Sequence, residues 1–127
     1  MSQRAAITTH ILDLVRGQPA AKVAVRLYDT QDLVASATTD SDGRVLQWDT
    51  EFTIQADKYR LKFDVEPYFD QHQADCFYED VHISFRVKEI AEHYHVPLLL
   101  SPFGDCTYPV ICACCAFVVV YRITPAR

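Results

Sequence analysis

The chain has 127 residues, of which 50% are hydrophobic, and a formal net charge of −5. It is long enough to bury the core of one domain and too hydrophobic for a disordered chain of this charge. The acidic balance argues against a broad nucleic-acid surface. The longest apolar run, residues 110–121, is far shorter than the roughly 20 residues of a membrane-spanning helix. We therefore expect neither nucleic acid nor a membrane as a partner.

Alternation of apolar and polar residues predicts strands along most of the chain. In chain order, the predicted strands cover residues 7–14, 22–28, 33–39, 59–65, 81–87 and 94–100. Pro97 in the last of these suggests an unpaired or edge position, because proline donates no backbone hydrogen bond. Polar turns are predicted at 29–32 and 40–43.

One short helix is predicted over residues 66–73, with Pro67 in its first turn. Several short strands at fairly even spacing, with a single helix and no internal repeat, predict an all-β sandwich.

Five cysteines are present, and four of them crowd into residues 106–115. An odd, clustered set argues against a secreted disulfide framework and favours reduced thiols. A thiol-metal role for Cys112, Cys114 and Cys115 is an alternative, although their spacing matches no recognised zinc pattern. No matched Cys–His motif indicates a catalytic thiol.

Three positions could carry chemistry. His10 lies on the first predicted strand, Arg44 follows a predicted turn, and His93 and His95 share one face of a strand. Taken singly, each residue also fits a role without chemistry. His10 could be a hydrogen-bonded core histidine, Arg44 a solvated arginine, and His93 and His95 a pair of surface side chains. A metal site at His93 and His95 is a further alternative, but no third ligand of matching spacing follows.

Three segments together resemble the 5-hydroxyisourate hydrolases of the transthyretin family. Residues 8–13 with 17–20 (TTHILD, GQPA) resemble that family's first motif, 39–44 (TDSDGR) its second, and 93–104 (HYHVPLLLSPFG) its long third motif. The resemblance implies a transthyretin-like sandwich of two four-stranded sheets with one short helix. It also implies a homotetramer with active sites where dimers meet.

The resemblance further implies the activity and the residues that perform it. Family members hydrolyse 5-hydroxyisourate to 2-oxo-4-hydroxy-4-carboxy-5-ureidoimidazoline in urate degradation, without metal or cofactor. By motif, the catalytic residues are His10, Arg44 and His95, and the substrate-binding residues are His10, Arg44 and Tyr108. Transthyretin itself lacks the histidine–arginine–histidine set, which favours an enzyme over a carrier.

These side chains suit the opening of a cyclic amide by water. One imidazole can take a proton from the attacking water, and the other can orient it or protonate the leaving ring nitrogen. The guanidinium of Arg44 can hold adjacent oxygens and stabilise developing negative charge.

The C-terminal segment departs from the family pattern. Tyr108 matches the tyrosine of the family's terminal Tyr-Arg-Gly-Ser, but Pro109 and Val110 follow it. We therefore divide the chain into a hydrolase domain, 1–108, and an atypical apolar, cysteine-rich tail, 109–127, which could form an extended last strand.

The alternative function is a catalytically impaired binding or interaction protein of the same fold; a generic adhesion sandwich fits the motifs less well. We expect a cytoplasmic location, with a peroxisomal one possible by resemblance.

Overall fold

The computed structural model describes residues 5–101 and the backbone of residues 116–118 and 121–123. Its strands are β1 (Ile7–Asp13), β2 (Gln18–Pro19), β3 (Ala24–Tyr28), β4 (Leu33–Thr38), β5 (Arg44–Val45), β6 (Lys58–Asp64), β7 (Val81–Arg86), β8 (His93–Leu100), β9 (Ala116–Val118) and β10 (Tyr121–Ile123). One helix, α1 (Val65–Gln71), lies between β6 and β7. Within the described ranges, no helix combines the length and the apolar character that crossing a membrane requires.

The strands form two sheets. One has the order β4-β3-β6-β7, and the other follows β10-β8-β1-β2, with β5 beside β1 and β9 beside β8. The short strands β5 and β2 pair with successive parts of one edge of β1, and β10 and β9 do the same along β8. The second sheet is therefore also four strands wide, and the predicted all-β sandwich of two four-stranded sheets is confirmed.

The core lies between the two sheets because each long strand alternates between a buried and a more exposed face. In β6, Tyr59, Leu61 and Phe63 are buried, and the residues between them are not. In β8 the buried side chains are those of Tyr94, Val96, Leu98 and Leu100. This alternation is the pattern from which the strands were predicted.

The parallel pairing of β1 with β8 is the feature of the fold that matters most for the candidate site. It joins segments more than 80 residues apart and sets Thr8 opposite His95 and His10 opposite Pro97. The core-facing side chain of Thr9 donates a hydrogen bond to the carbonyl of Val96, which adds a side-chain tie to the ladder. The opposite, outer faces of the two strands therefore carry their histidines side by side.

Most predicted elements begin or end within two residues of the observed bounds. Lys22 was wrongly placed in a strand: its φ is 65°, a left-handed conformation that no strand residue adopts. Val65 was also wrongly placed in a strand, since it is the first residue of α1. A buried valine fits the hydrophobic pattern of either element, so alternation could not separate them. Pro67 lies in the first helical turn, as predicted.

The sequence predicted an edge strand or an unpaired position at Pro97, and only the second of these is found, on one side of β8. β8 has partners along both sides, so it is not an edge strand. On the side away from β1, however, described pairing covers His93 to His95 and Leu98 to Leu100, and Pro97 falls between these two stretches. The missing N–H therefore interrupts no backbone pairing on that side within the described residues.

A buried carboxylate links α1 to β1. The side chain of Asp13 is 1% exposed and accepts hydrogen bonds from the backbone N–H groups of Val15 and Arg16. The Tyr68 hydroxyl, on α1, donates to the same carboxylate at 2.6 Å. Burial, together with this bond to Asp13, raises the pKa of Tyr68. The phenol therefore stays protonated and keeps donating at neutral pH.

Candidate functional site

A tight turn delivers Arg44 to the edge of β1. The Asp40 carboxylate accepts the backbone N–H groups of Asp42 at 2.8 Å and Arg44 at 3.0 Å. The Asp40 N–H donates to the Arg44 carbonyl, and the Gly43 N–H donates to the Asp40 carbonyl. Four hydrogen bonds within five residues thus fix the backbone that carries the guanidinium.

Gly43 is required at this turn for two reasons. Its φ of +74° is costly for residues with a Cβ, and a Cβ added here would lie 2.5 Å from the carbonyl oxygen of Ile11. The close approach lets the Gly43 carbonyl accept the Ile11 N–H at 2.7 Å. The turn is therefore held directly against the strand that carries His10.

His10 and Arg44 are cross-strand partners, since β5 pairs antiparallel with β1 at this position. Both side chains are half-buried. Burial, followed by the positive charge of Arg44, lowers the pKa of His10 below its ordinary value. A hydrogen bond with the Asp42 backbone and the charges of Asp40 and Asp42 oppose this shift and are smaller. His10 therefore favours its neutral, proton-accepting form.

The pKa shift of His10 gives a first prediction. Removing the charge in Arg44→Gln is expected to raise the pKa of His10, because the second-largest cause of its depression is lost. Titration of the His10 ring protons by NMR measures this directly. Lys22→Gln, which removes an exposed cation elsewhere, is the control and should leave the midpoint in place. An unchanged midpoint in Arg44→Gln would show that the two side chains are not electrostatically coupled.

Thr8 connects two further histidines on the same face. Its side chain is fully buried, and its hydroxyl oxygen lies 2.8 Å from Nδ1 of His95 and 2.9 Å from Nε2 of His93. Both imidazoles are half-buried. The hydroxyl orients the two rings together, since it bonds to a ring nitrogen of each.

The shared hydroxyl also couples the proton positions of the two rings. A hydroxyl has one hydrogen and two lone pairs, so Thr8 can donate to at most one neutral histidine and must accept from at least one. If it donates to Nδ1 of His95, the proton of that ring is on Nε2; if it accepts, the proton is on Nδ1. When both rings are neutral, at least one of them therefore carries its proton on the nitrogen that faces Thr8.

The three residues singled out from the sequence lie on one sheet face. His10 is opposite Arg44 on one side, and on its other side it is diagonal to His95 across the β1–β8 ladder. Tyr108 lies outside the described residues. The backbone of Tyr121 in β10 pairs opposite His95. The face therefore combines one guanidinium and three imidazoles, which can bind oxygen atoms and transfer protons.

Sequence reasoning missed the role of Thr8. Its position next to His10 in the first motif was visible, but its contact with His95 depends on the register of β1 against β8. A polar residue at the start of a strand, flanked by core positions, was the only available signal.

The two histidines considered from the sequence as a metal site, His93 and His95, are both hydrogen-bonded to Thr8. In the part of the chain that the structure describes, no three His, Cys, Asp or Glu side chains are grouped to hold a metal ion.

Of the five cysteines, only Cys76 lies within the described residues. The Cys76 thiol donates to the carbonyl of Tyr78 at 3.1 Å. Cys106, Cys112, Cys114 and Cys115 lie outside the described residues.

Comparison with known proteins shows that the chain is similar to members of one family. Residues 7–109 match the model of the HIUase/transthyretin family. A probable 5-hydroxyisourate hydrolase of Caenorhabditis elegans is 37% identical over 108 residues, covering 82% of this chain and 80% of the relative. The 5-hydroxyisourate hydrolase of Deinococcus radiodurans is 38% identical over 116 residues, covering 85% and 98%.

Solved structures match the fold over nearly the whole chain. Sea bream transthyretin in complex with thyroxine gives a TM-score of 0.80 at 26% identity, covering 97% of this chain and 100% of that one. Klebsiella pneumoniae 5-hydroxyisourate hydrolase gives 0.70 at 24% identity, covering 91% and 96%.

Proposed function

The chain belongs to the HIUase/transthyretin family, and we propose that it is a cyclic amide hydrolase that opens the ring of 5-hydroxyisourate. The observation that carries the proposal is the pairing of His10 with Arg44 on the sheet face that also holds the Thr8-bound His95. Relatives named as 5-hydroxyisourate hydrolases, at 36–38% identity over most of the chain, support the substrate.

The proposed reaction needs an acceptor for one proton and a donor of another. Water attacks a ring carbonyl carbon, its proton passes to an imidazole, and the C–N bond then breaks as the ring nitrogen gains a proton. The lowered pKa of His10 keeps it in the neutral form that can accept this proton. We assign the donation of the second proton to His95. Arg44 holds the carbonyl oxygen as negative charge develops on it. The product is 2-oxo-4-hydroxy-4-carboxy-5-ureidoimidazoline.

The decay of freshly made 5-hydroxyisourate, followed against its spontaneous hydrolysis, tests this function. The protein is expected to accelerate the decay, and Arg44→Gln is expected to lose most of the acceleration because its neutral amide stabilises developing charge poorly. Lys22→Gln should retain the full rate. Decay at the spontaneous rate with folded protein would remove the enzyme proposal.

Thr8→Val tests whether the shared hydroxyl positions the reacting imidazole. Valine has nearly the same shape but no hydroxyl, so we expect kcat to fall by about tenfold or more, with little change in KM, as the orientation of His95 is lost. Thr9→Val is the matched control, because Thr9 lies on the core face of the same strand. Thr9→Val should lower the melting temperature without lowering kcat in the folded protein. Equal kcat values for the two variants would contradict a positioning role for Thr8.

We propose a homotetramer in the cytoplasm, following the family resemblance, with a peroxisomal location as the alternative. Light scattering at micromolar concentration measures the assembly, and only monomer in solution would reject it. Fractionation of the source cells decides between the two locations.

A second candidate function is a non-catalytic binding protein of the same fold. The observation in its favour is the TM-score of 0.80 with a transthyretin that binds thyroxine. Saturable thyroxine binding, together with decay of 5-hydroxyisourate at the spontaneous rate, would select this function over hydrolysis.

A further inference from the structure

A second concentration of charge lies on the other sheet, away from the histidine face. A cavity of about 410 Å³ is lined by Ala56, Asp57, Lys58, Arg86, Val87 and Lys88. Three basic residues and one acidic residue thus line the cavity, in a chain whose net charge is −5.

The pairing register makes this arrangement unfavourable unless something neutralises it. Lys58, the first residue of β6, is directly opposite Arg86, the last residue of β7. Like charges directly opposite each other across an antiparallel pair destabilise a sheet. Within the described residues, the ion pairs formed do not include Lys58, Arg86 or Lys88. No ion pair among the described residues therefore offsets the repulsion at this end of the ladder.

The other cations on the same sheet face contrast with these three. Two rows further along β6, Lys62 lies 3.6 Å from the carboxylate of Asp64, and Arg26 lies 3.2 Å from it. Arg60 stacks over the ring of Tyr28 at 4.4 Å. Among the cations within the four strands of this sheet, only Lys58 and Arg86, at the end that borders the cavity, thus lack an ion pair or a ring contact with the described residues.

Hydrogen bonds hold the backbone of the cavity walls in place. The buried Val87 donates its N–H to the Asp57 carbonyl at 2.9 Å, which joins the two lining segments. The Tyr94 hydroxyl accepts the backbone N–H groups of Lys88 at 3.1 Å and Glu89 at 3.0 Å. The segment that carries Lys88 is therefore anchored to a core residue of β8. Such a fixed wall limits the ordering cost of binding.

We propose that this cavity binds a phosphate group, either as inorganic phosphate or as part of a small phosphate ester. A doubly charged oxyanion between Lys58 and Arg86 replaces their repulsion with two attractions. The planar guanidinium of Arg86 suits two oxygens of one phosphate, and the ammonium groups of Lys58 and Lys88 supply further charge. The volume holds a phosphate group with room for a small organic substituent.

Calorimetric titration with inorganic phosphate and, separately, with glycerol 3-phosphate tests the proposal at constant ionic strength set with sodium chloride. Saturable binding of at least one probe is expected, and the tighter of the two shows whether the group arrives free or as an ester. Arg86→Gln and Lys58→Gln should each weaken binding by about tenfold or more, as expected for a lost charge-assisted hydrogen bond. Lys22→Gln, near the start of β3 and so at the opposite end of the sheet, is the matched control and should bind as the wild type does.

Thermal unfolding provides a second readout that does not depend on heat of binding. Phosphate should raise the melting temperature of the wild type and of Lys22→Gln, and raise that of Arg86→Gln much less. Without phosphate, at low salt, Arg86→Gln should melt no lower than the wild type, because it removes a like-charge pair. No saturable binding of either probe, or equal binding by Arg86→Gln and Lys22→Gln, would overturn the site.

Discussion

Replacing His95 with alanine is expected to lower kcat for 5-hydroxyisourate by about 10²–10⁴-fold, the usual contribution of a positioned acid or base. The fold should survive this change. The side chain is half-buried, and the Thr8 hydroxyl that it leaves behind still has His93 as a partner. Single-turnover decay of the substrate, alongside thermal unfolding of the same sample, measures both effects.

His82→Ala is the matched control for this substitution. His82 lies on the exposed face of the other sheet, where it contacts Arg60 and Asp80. Its loss should leave kcat at the wild-type value. If His95→Ala were as active as His82→Ala, His95 would have no part in the chemistry.

Exchange of the tail is expected to have the second-largest effect. Replacing residues 109–127 with Arg-Gly-Ser after Tyr108 should raise kcat/KM by about 10²–10³-fold, as for the gain of one well-placed transition-state donor. The reason is chemical: an arginine next to the substrate supplies polar contacts, whereas Pro109 lacks even a backbone donor. In the described part of the tail, the backbone of Tyr121 lies opposite His95, so the present segment borders the proposed site.

A third chain, ending at Tyr108 with nothing added, separates the two possible causes of a gain. If the apolar tail obstructs the site, this truncated chain should gain activity as well. If the added arginine is the cause, only the chimera should gain activity. Light scattering must accompany both assays, because removing β9 and β10 leaves the edge of β8 uncovered. Equal activity of the natural chain and the chimera would show that the altered end is functionally silent.

The sequence predicted the long strands well because each of them divides its side chains between core and surface. β3, β6 and β7 follow this alternation almost residue by residue. The two-residue strands β2 and β5 were not predicted, since no periodicity can be read from two residues. The pairing of β5 depends on the tight turn at Gly43, which brings its carbonyl to the Ile11 N–H.

The candidate site was predictable as a set of residue types and not as a geometry. Motif resemblance selected His10, Arg44 and His95, and nothing in the local sequence related one to another. The parallel register of β1 and β8 gives Thr8 its two histidine contacts, and it is fixed by core packing of distant segments. The pairing of Lys58 with Arg86 depends in the same way on register, which explains why the cavity had no signal in the sequence.

The measurement that tests the single-site proposal most directly is a double-mutant cycle of His10→Ala and His95→Ala in the 5-hydroxyisourate decay assay. Residues that act as one unit show strongly non-additive losses. The double variant is therefore expected to be about as slow as the slower single variant. Losses in kcat that multiply, in proteins that remain folded, would contradict a shared site at His10, Arg44 and His95.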